Sequence, residues 1–377
     1  MSCIVPLPQG ESKEASADCW IVTKILTSIT LKEEAVNTMP LCMFPTKVLL
    51  IDDDVLSLKR LDVNLDDTRF TYQTFHDPHT ALKFLTEDYQ LDSFSKRLIS
   101  QPDEDQWQHA KLNVNIYDLM NEVYNPKRFE SISTVVVDFA MPGMNGLELC
   151  EKITDPSIQK ILLTGEADQY LAVQAFNKGL IHQYIKKQNP NVHKALTEAL
   201  LESQWTYFSN VSQLMYDVAT FGAKPTCLRD PVFIKFFENL LQEKNIVEYY
   251  LFEMTGNFLL VDDEATTYGL FTYIKDQLTM WHEDFPESDT APKHLINDLK
   301  NEKKMICFHD RNSISIPQGK DWPKYSYPLH VLKGGYETYY YAFAHNMVDI
   351  DTTRIATFDD FKSSGKVPAS YQLAING

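Results

Sequence analysis

Residues 47–54 read KVLLIDDD: a cationic residue, four consecutive aliphatic residues and then three acids, Asp52, Asp53 and Asp54. A strand buried on both faces reads as an unbroken apolar run, because both of its sides meet helices. Val55, Leu58 and Leu61 then follow at helical spacing, so the stretch predicts strand, acidic turn, helix. Working outward, FTYQTF (70–75) leads into the helical pattern ALKFLTED (81–88), and TVVVD (134–138) and KILLT (160–164) are each followed by a helix candidate. HQYIKK (182–187) closes the series. Five strands interleaved with helices imply parallel βαβ units in a doubly wound α/β sheet.

In such a sheet the ligand site lies at the carboxyl ends of the strands. Asp52 and Asp53, Asp138, Thr164 and Lys186 all fall at those ends, so residues distant in sequence are expected to converge. One aspartate at a strand end is most often a helix cap. Three carboxylates held together are another matter, since each raises the pKa of the next unless a cation intervenes. Magnesium suits the set, as a hard ion that accepts one or two carboxylates and leaves room for phosphate oxygens.

KVLLIDDD, VVVDFAMPGMNGLELC, ILLTGEAD and YIKK, in this order, resemble the receiver (CheY-like) domain of two-component response regulators. The resemblance covers about 46–200 and implies a five-stranded parallel sheet of order 2-1-3-4-5. It implies Asp138 as phosphoryl acceptor, with Asp52, Asp53, Asp138 and the Ala140 carbonyl as an Mg2+ site. Thr164 would be the switch hydroxyl, Lys186 the phosphate-contacting amine, and Gly165 the small residue that lets the phosphate approach. The Pro142-Gly143-Met144-Asn145-Gly146 turn matches the loop that follows the acceptor. The implied donor is a sensor histidine kinase or a phosphotransfer protein, and the implied response is homodimer formation on phosphorylation.

The chain departs from the family in two places. Asp138 follows Asp53 by 85 positions, about twice the usual interval, and the excess is the polar stretch 89–131. Lying between the second helix and the third strand, this insertion is expected at the face opposite the acids, where it would offer a partner surface. The lysine has two registers. Counting from Thr164 selects Lys186, with Gln183 in the place of the switch aromatic; aligning on Tyr184 as switch aromatic selects Lys187, with Gln188 where a proline usually stands.

The 377 residues carry a net charge of −17, and the portion after 220 is itself acidic. Coating nucleic acid takes clustered Lys and Arg, and no helix-turn-helix with a basic second helix is visible, so direct DNA binding is not indicated. The six cysteines form no C-x-x-C pair, which argues against a zinc site or a disulfide framework. No apolar run is long enough to span a membrane, and a cytoplasmic protein is expected.

Four regions are predicted: a helical extension over 1–45 built on Ile21, Ile25, Leu26 and Ile29, the receiver domain (46–200) with its insertion, a helical linker (201–245), and an α+β output domain (246–377) on an antiparallel sheet. In the last, VEYYLFE (247–253) and FLLVDD (258–263) form a hairpin that resembles that of PAS-like sensor modules, its aromatics read as core. YPLHVL and YETYYYAFAH form a second hairpin, with a helical middle over 266–304 between them. The Gly334-Gly335-Tyr336-Glu337-Thr338 turn faintly resembles the GGDEF loop of diguanylate cyclases, but tyrosine replaces its metal-binding aspartate, so a plain hairpin turn is expected.

The layout is similar to that of quorum-sensing response regulators and implies a role in cell-density signalling. The implied protein is a phosphoacceptor with self-directed chemistry only. The residues leave open a phosphorylation-independent interaction or ligand-sensing protein whose acidic pocket merely binds a cation.

Overall fold

Alternation within the apolar runs decides how the parallel sheet is covered. The computed structural model describes residues 38–65, 68–89, 94, 99–100, 113–114, 116–165, 168–218, 225–284, 292–307, 322–347 and 350–364. Its first half runs β1 (Cys42–Met43), β2 (Thr46–Ile51), α1 (Val55–Asn64), β3 (Phe70–Phe75), α2 (Pro78–Lys83), the short antiparallel pair β4 (Ile99–Ser100) and β5 (Asn113–Val114), and α3 (Ile116–Asn121). It continues through β6 (Ile132–Asp138), α4 (Gly146–Lys152), β7 (Gln159–Thr164), α5 (Gln169–Asn177), β8 (Gln183–Lys186) and α6 (Val192–Val218).

Strands β3-β2-β6-β7-β8 form the expected parallel sheet, which is the 2-1-3-4-5 order. Leu49, Ile51, Val135, Val137 and Leu162 face α2, α4 and α5, while Val48, Leu50, Val136, Ile161 and Leu163 face α1 and α6. Successive residues thus enter opposite cores, which is why each run is apolar throughout.

The second half carries α7 (Pro231–Glu243), β9 (Ile246–Glu253), β10 (Asn257–Asp262), β11 (Thr267–Ile274), α8 (Lys275–Asp284), α9 (Lys293–Lys300), β12 (Lys304–Ile306), α10 (Trp322–Tyr325), β13 (Ser326–Pro328), β14 (His330–Lys333), β15 (Thr338–His345) and α11 (Phe358–Ser363). Its main sheet is antiparallel, in the order β1-β9-β10-β11-β15-β14. Both expected hairpins are present. Within the expected helical middle, however, Thr267–Ile274 is a strand: successive residues are buried on both of its faces, so its apolar residues carry no period that separates strand from helix.

Helix α7 covers one face of this sheet, with Phe237 against Tyr249 and Phe258 and Phe233 against Tyr339. Asp230 caps α7 and also accepts hydrogen bonds from the Gly335 and Tyr336 amides and the Tyr339 hydroxyl. The Gly334-Gly335 segment is therefore a hairpin turn anchored to a helix cap.

Three sequence boundaries shift. Residues 42–43 are a strand of the second sheet and Met39–Phe44 lie in its core, so this part of the 1–45 extension is not helical. The helix expected over 21–29 lies outside the described residues. The 201–245 linker is not a separate segment: α6 places Leu196, Ala199 and Leu200 in the receiver core and Tyr207, Phe208, Val211 and Met215 in the second core. Finally, four apolar residues of the insertion, Phe94, Leu119, Met120 and Val123, are buried in that second core, so this part of it is not offered to a partner.

Candidate functional site

The tips of β2 and β6 bring the acids together as expected. One carboxylate oxygen from each of Asp52, Asp53 and Asp138 lies within 4.8 Å of the others. Asp52 and Asp138 are buried, while Asp53 is exposed. The third acid of the run, Asp54, plays a different part, since its side chain caps α1 by accepting from the Leu56 amide and its own amide donates to Asp52 Oδ1.

The cation in the cup is Lys187, not Lys186. Lys187 Nζ lies 2.8 Å from Asp52 Oδ2 and 2.8 Å from Asp138 Oδ1. Lys186 pairs with Thr164 as the last residue of β8 and is exposed. The fixed count from Thr164 falls one residue short because the connection through α5 to β8 is one residue longer than that count assumes. The following residue, just past the strand end, is the one whose side chain reaches over the tips. Its amide donates to the Thr164 carbonyl, which fixes where the side chain starts. In this register Tyr184 falls in the switch-aromatic place; it is half-buried against the core beneath α4 and α5.

Burial pushes the Asp138 carboxyl above its usual range, and Asp52 adds to the rise, while Lys187 and the Ala140 amide oppose it. Lys187 is itself carried above the ordinary lysine value: burial lowers it, but the two carboxylates outweigh burial. Ala140 is exposed in the turn after β6 and meets Asp138 through its N–H. Thr164 is fully buried, and its hydroxyl donates to the Gly165 carbonyl at 3.0 Å. A Cβ on Gly165 would meet only Asp168 and Gln188, at ordinary van der Waals distance.

The loop after Asp138 is built for close approach. Gly143 has φ +80°, a left-handed conformation that favours glycine. Asn145 accepts from the Leu147 and Glu148 amides while Glu148 accepts from the Asn145 amide, a capping box that starts α4. Gly146 donates to the Phe139 carbonyl, and a Cβ there would overlap the Asp138 carbonyl oxygen. The sequence marks Gly146 as part of the loop but not this steric role; a glycine opening a helix just after the acidic strand is the available signal.

Three carboxylates and one ammonium leave the cup with an excess of about two negative charges. The donors are all hard oxygens, and one acid is open to solvent, so the residues fit a magnesium ion.

Fold and cup together define a receiver-type signalling protein: the chain belongs to the response regulators. The family model described as the response regulator receiver domain matches residues 104–199. The chain is similar to the Legionella pneumophila response regulator LqsR, at 32% identity and a TM-score of 0.70, covering 88% of this chain and 96% of that one. It is also similar to a receiver domain protein from Clostridium thermocellum, at 20% identity and TM-score 0.29 over 42% of this chain and 94% of that one. A signal receiver domain from an HD domain-containing protein of Pseudomonas fluorescens Pf-5 gives 23%, 0.30, 45% and 93%. No curated protein matches the chain. No described helix is long and apolar enough to cross a membrane.

Proposed function

We propose that the protein accepts a phosphoryl group on Asp138 from the phosphohistidine of a sensor kinase or phosphotransfer protein. The observation that carries this reading is the Lys187 ammonium spanning Asp52 and Asp138, two buried carboxylates on adjacent strand tips. An Asp138 oxygen attacks phosphorus in line as the P–N bond to the donor imidazole breaks, and the imidazole leaves carrying a proton from solvent. Lys187 opposes the burial that favours protonated Asp138, and then passes to a phosphoryl oxygen. The Thr164 hydroxyl exchanges its Gly165 acceptor for another.

Asp52, Asp53, Asp138 and the Ala140 carbonyl would hold Mg2+, which when bound offsets charge on the acceptor and the incoming phosphoryl oxygens. Ala140 supplies no polar side chain to an attacking water, so hydrolysis of the acylphosphate relies on the remaining residues. The chemistry is self-directed, and the protein has no separate substrate to turn over.

The acylphosphate biases homodimer or partner contact at the face around α5 and β8, where Tyr170 and Leu171 are exposed. The net charge of −17 supports an output through protein contact rather than DNA. A cytoplasmic location fits both a kinase donor and the four described cysteines, Cys42, Cys150, Cys227 and Cys307, which are buried and free. The likeness to LqsR supports a place in cell-density signalling. Incubation with a small phosphodonor and Mg2+ tests the reading: wild type should gain one phosphoryl mass and Asp138→Asn none. Light scattering of the same samples should report a larger particle only for the modified protein. An unmodified wild type would favour a cation-binding interaction protein.

A further inference from the structure

The carboxyl ends of β2 and β6 carry the acids; at their amino ends β2 is preceded by β1 of the second sheet and β6 by a turn of the insertion. Only Phe44 and Pro45 separate β2 from β1, which pairs with β9 through Cys42 opposite Tyr250 and Met43 opposite Tyr249. Phe44 sits among rings from three other segments: Phe94 of the insertion at 5.2 Å, Phe208 of α6 at 4.7 Å and Tyr250 of β9 at 6.0 Å. Gln204 on α6 donates to the Phe44 carbonyl and to Thr46, and the Thr46 hydroxyl pairs with Ser133 at the foot of β6.

The second strand is fixed by charge. The insertion ends in a 3-10 turn, Pro126–Glu130, two residues before β6 begins. From it Arg128 forms a bidentate pair with Glu248 of β9, both bonds 2.8 Å and both side chains almost wholly buried. Arg128 also donates to the Asn125 and Ala356 carbonyls, and the Tyr250 hydroxyl donates to Glu248. A buried bidentate pair with its remaining donors satisfied holds one register and tolerates little sliding.

From this geometry we infer that the insertion is an interlock: its Arg128 ties the foot of β6 to β9, and its Phe94 packs on Phe44 where β1 already joins the foot of β2 to the same strand, so that receiver and second sheet open as one cooperative unit and a change in the acidic cup reaches β9 along β2 and β6. The surface the insertion covers belongs to this chain, and the face around α5 and β8 is left for partners.

Native-state hydrogen exchange on the full chain tests this. The slowest amides of β6 (Val135–Val137) and β9 (Tyr249–Leu251) should share one opening, with protection agreeing within about threefold. Arg128→Met combined with Glu248→Met keeps apolar volume and leaves no unpaired charge; it should lower β9 protection about tenfold relative to β6. Gln204→Leu, which removes the hydrogen bonds to Phe44 and Thr46, should act in the same direction. Exchange of β9 about tenfold faster than β6 already in wild type, or no separation in either variant, would overturn the interlock.

A second arm rests on the phosphoacceptor reading. With a small phosphodonor and Mg2+, the mass of each sample reports modification and β9 exchange should shift in the modified protein. Mass gain without a shift at β9 overturns the coupling. Absence of mass gain counts against phosphorylation instead, and the first arm still decides the interlock.

Discussion

Lys187 and Asp138 meet at 2.8 Å across the tips of β8 and β6, and the same ammonium is equally close to Asp52. The contact joins a residue just past a strand end to one at a strand end, so it depends on both strands stopping where they do. It also leaves the cup under tension, because one positive charge serves two buried carboxylates beside a third.

That tension has a sign. Burial raises the Asp138 pKa, so between the ordinary aspartate value and the raised one the native state holds the proton more firmly than the unfolded chain. Stability from this group is present in acid and is lost as pH rises through the folded-state pKa. Asp138→Asn should therefore raise the melting temperature at pH 7 in the absence of divalent cations and flatten that part of the pH profile. Thermal melts from pH 4 to 8 check both.

Lys187 carries the same sign in a more alkaline window. Its pKa is raised, so its contribution is complete below the ordinary lysine value and is lost as pH climbs above it. Lys187→Met should cost about 1–2 kcal/mol at pH 7, a buried-pair penalty discounted because the lysine is 31% exposed. Removing a positive charge from the cup should also tighten Mg2+ binding roughly tenfold. Lys186→Met should change neither. Denaturant titration and calorimetry with Mg2+ separate the two lysines.

The four motifs and their order made the parallel sheet legible, because strands buried on both faces must be apolar end to end and their polar tips then stand out. The sequence leaves two lysine registers open: the count from Thr164 points to Lys186, while Tyr184 as switch aromatic points to Lys187, the one that reaches the cup. Thr267–Ile274 hides in the sequence because a strand covered on both faces has no alternation to betray it. The insertion hid its role for another reason. Phe94, Leu119, Met120 and Val123 are few among polar neighbours, and Glu248, which completes Arg128, lies 120 residues further along the chain.

Arg128→Ala leaves Glu248 buried without its counter-charge and should cost about 3–5 kcal/mol, whereas Arg128→Met with Glu248→Met, which leaves no buried charge, should cost clearly less. Urea unfolding of the single, double and wild-type proteins gives the comparison. Equal losses in the single and double variants would mean that packing, not the ion pair, holds the insertion.

Gly146→Ala places a Cβ on the Asp138 carbonyl oxygen, so α4 must move away from the acidic strand. A strain cost of about 1–3 kcal/mol is expected, together with slower phosphoryl uptake. Mass spectrometry over time after addition of phosphodonor reads the second effect, and an unaltered rate would show that the position of α4 does not matter to the acceptor.

The most direct measurement is intact-mass spectrometry of the full chain after incubation with a small phosphodonor and Mg2+, in parallel with Asp138→Asn. One added phosphoryl group on the wild type, absent from the variant and localised to Asp138 by peptide mapping, is the expected result. A wild type that stays unmodified, or a variant that is modified equally, would contradict a phosphoacceptor cup at the tips of β2 and β6.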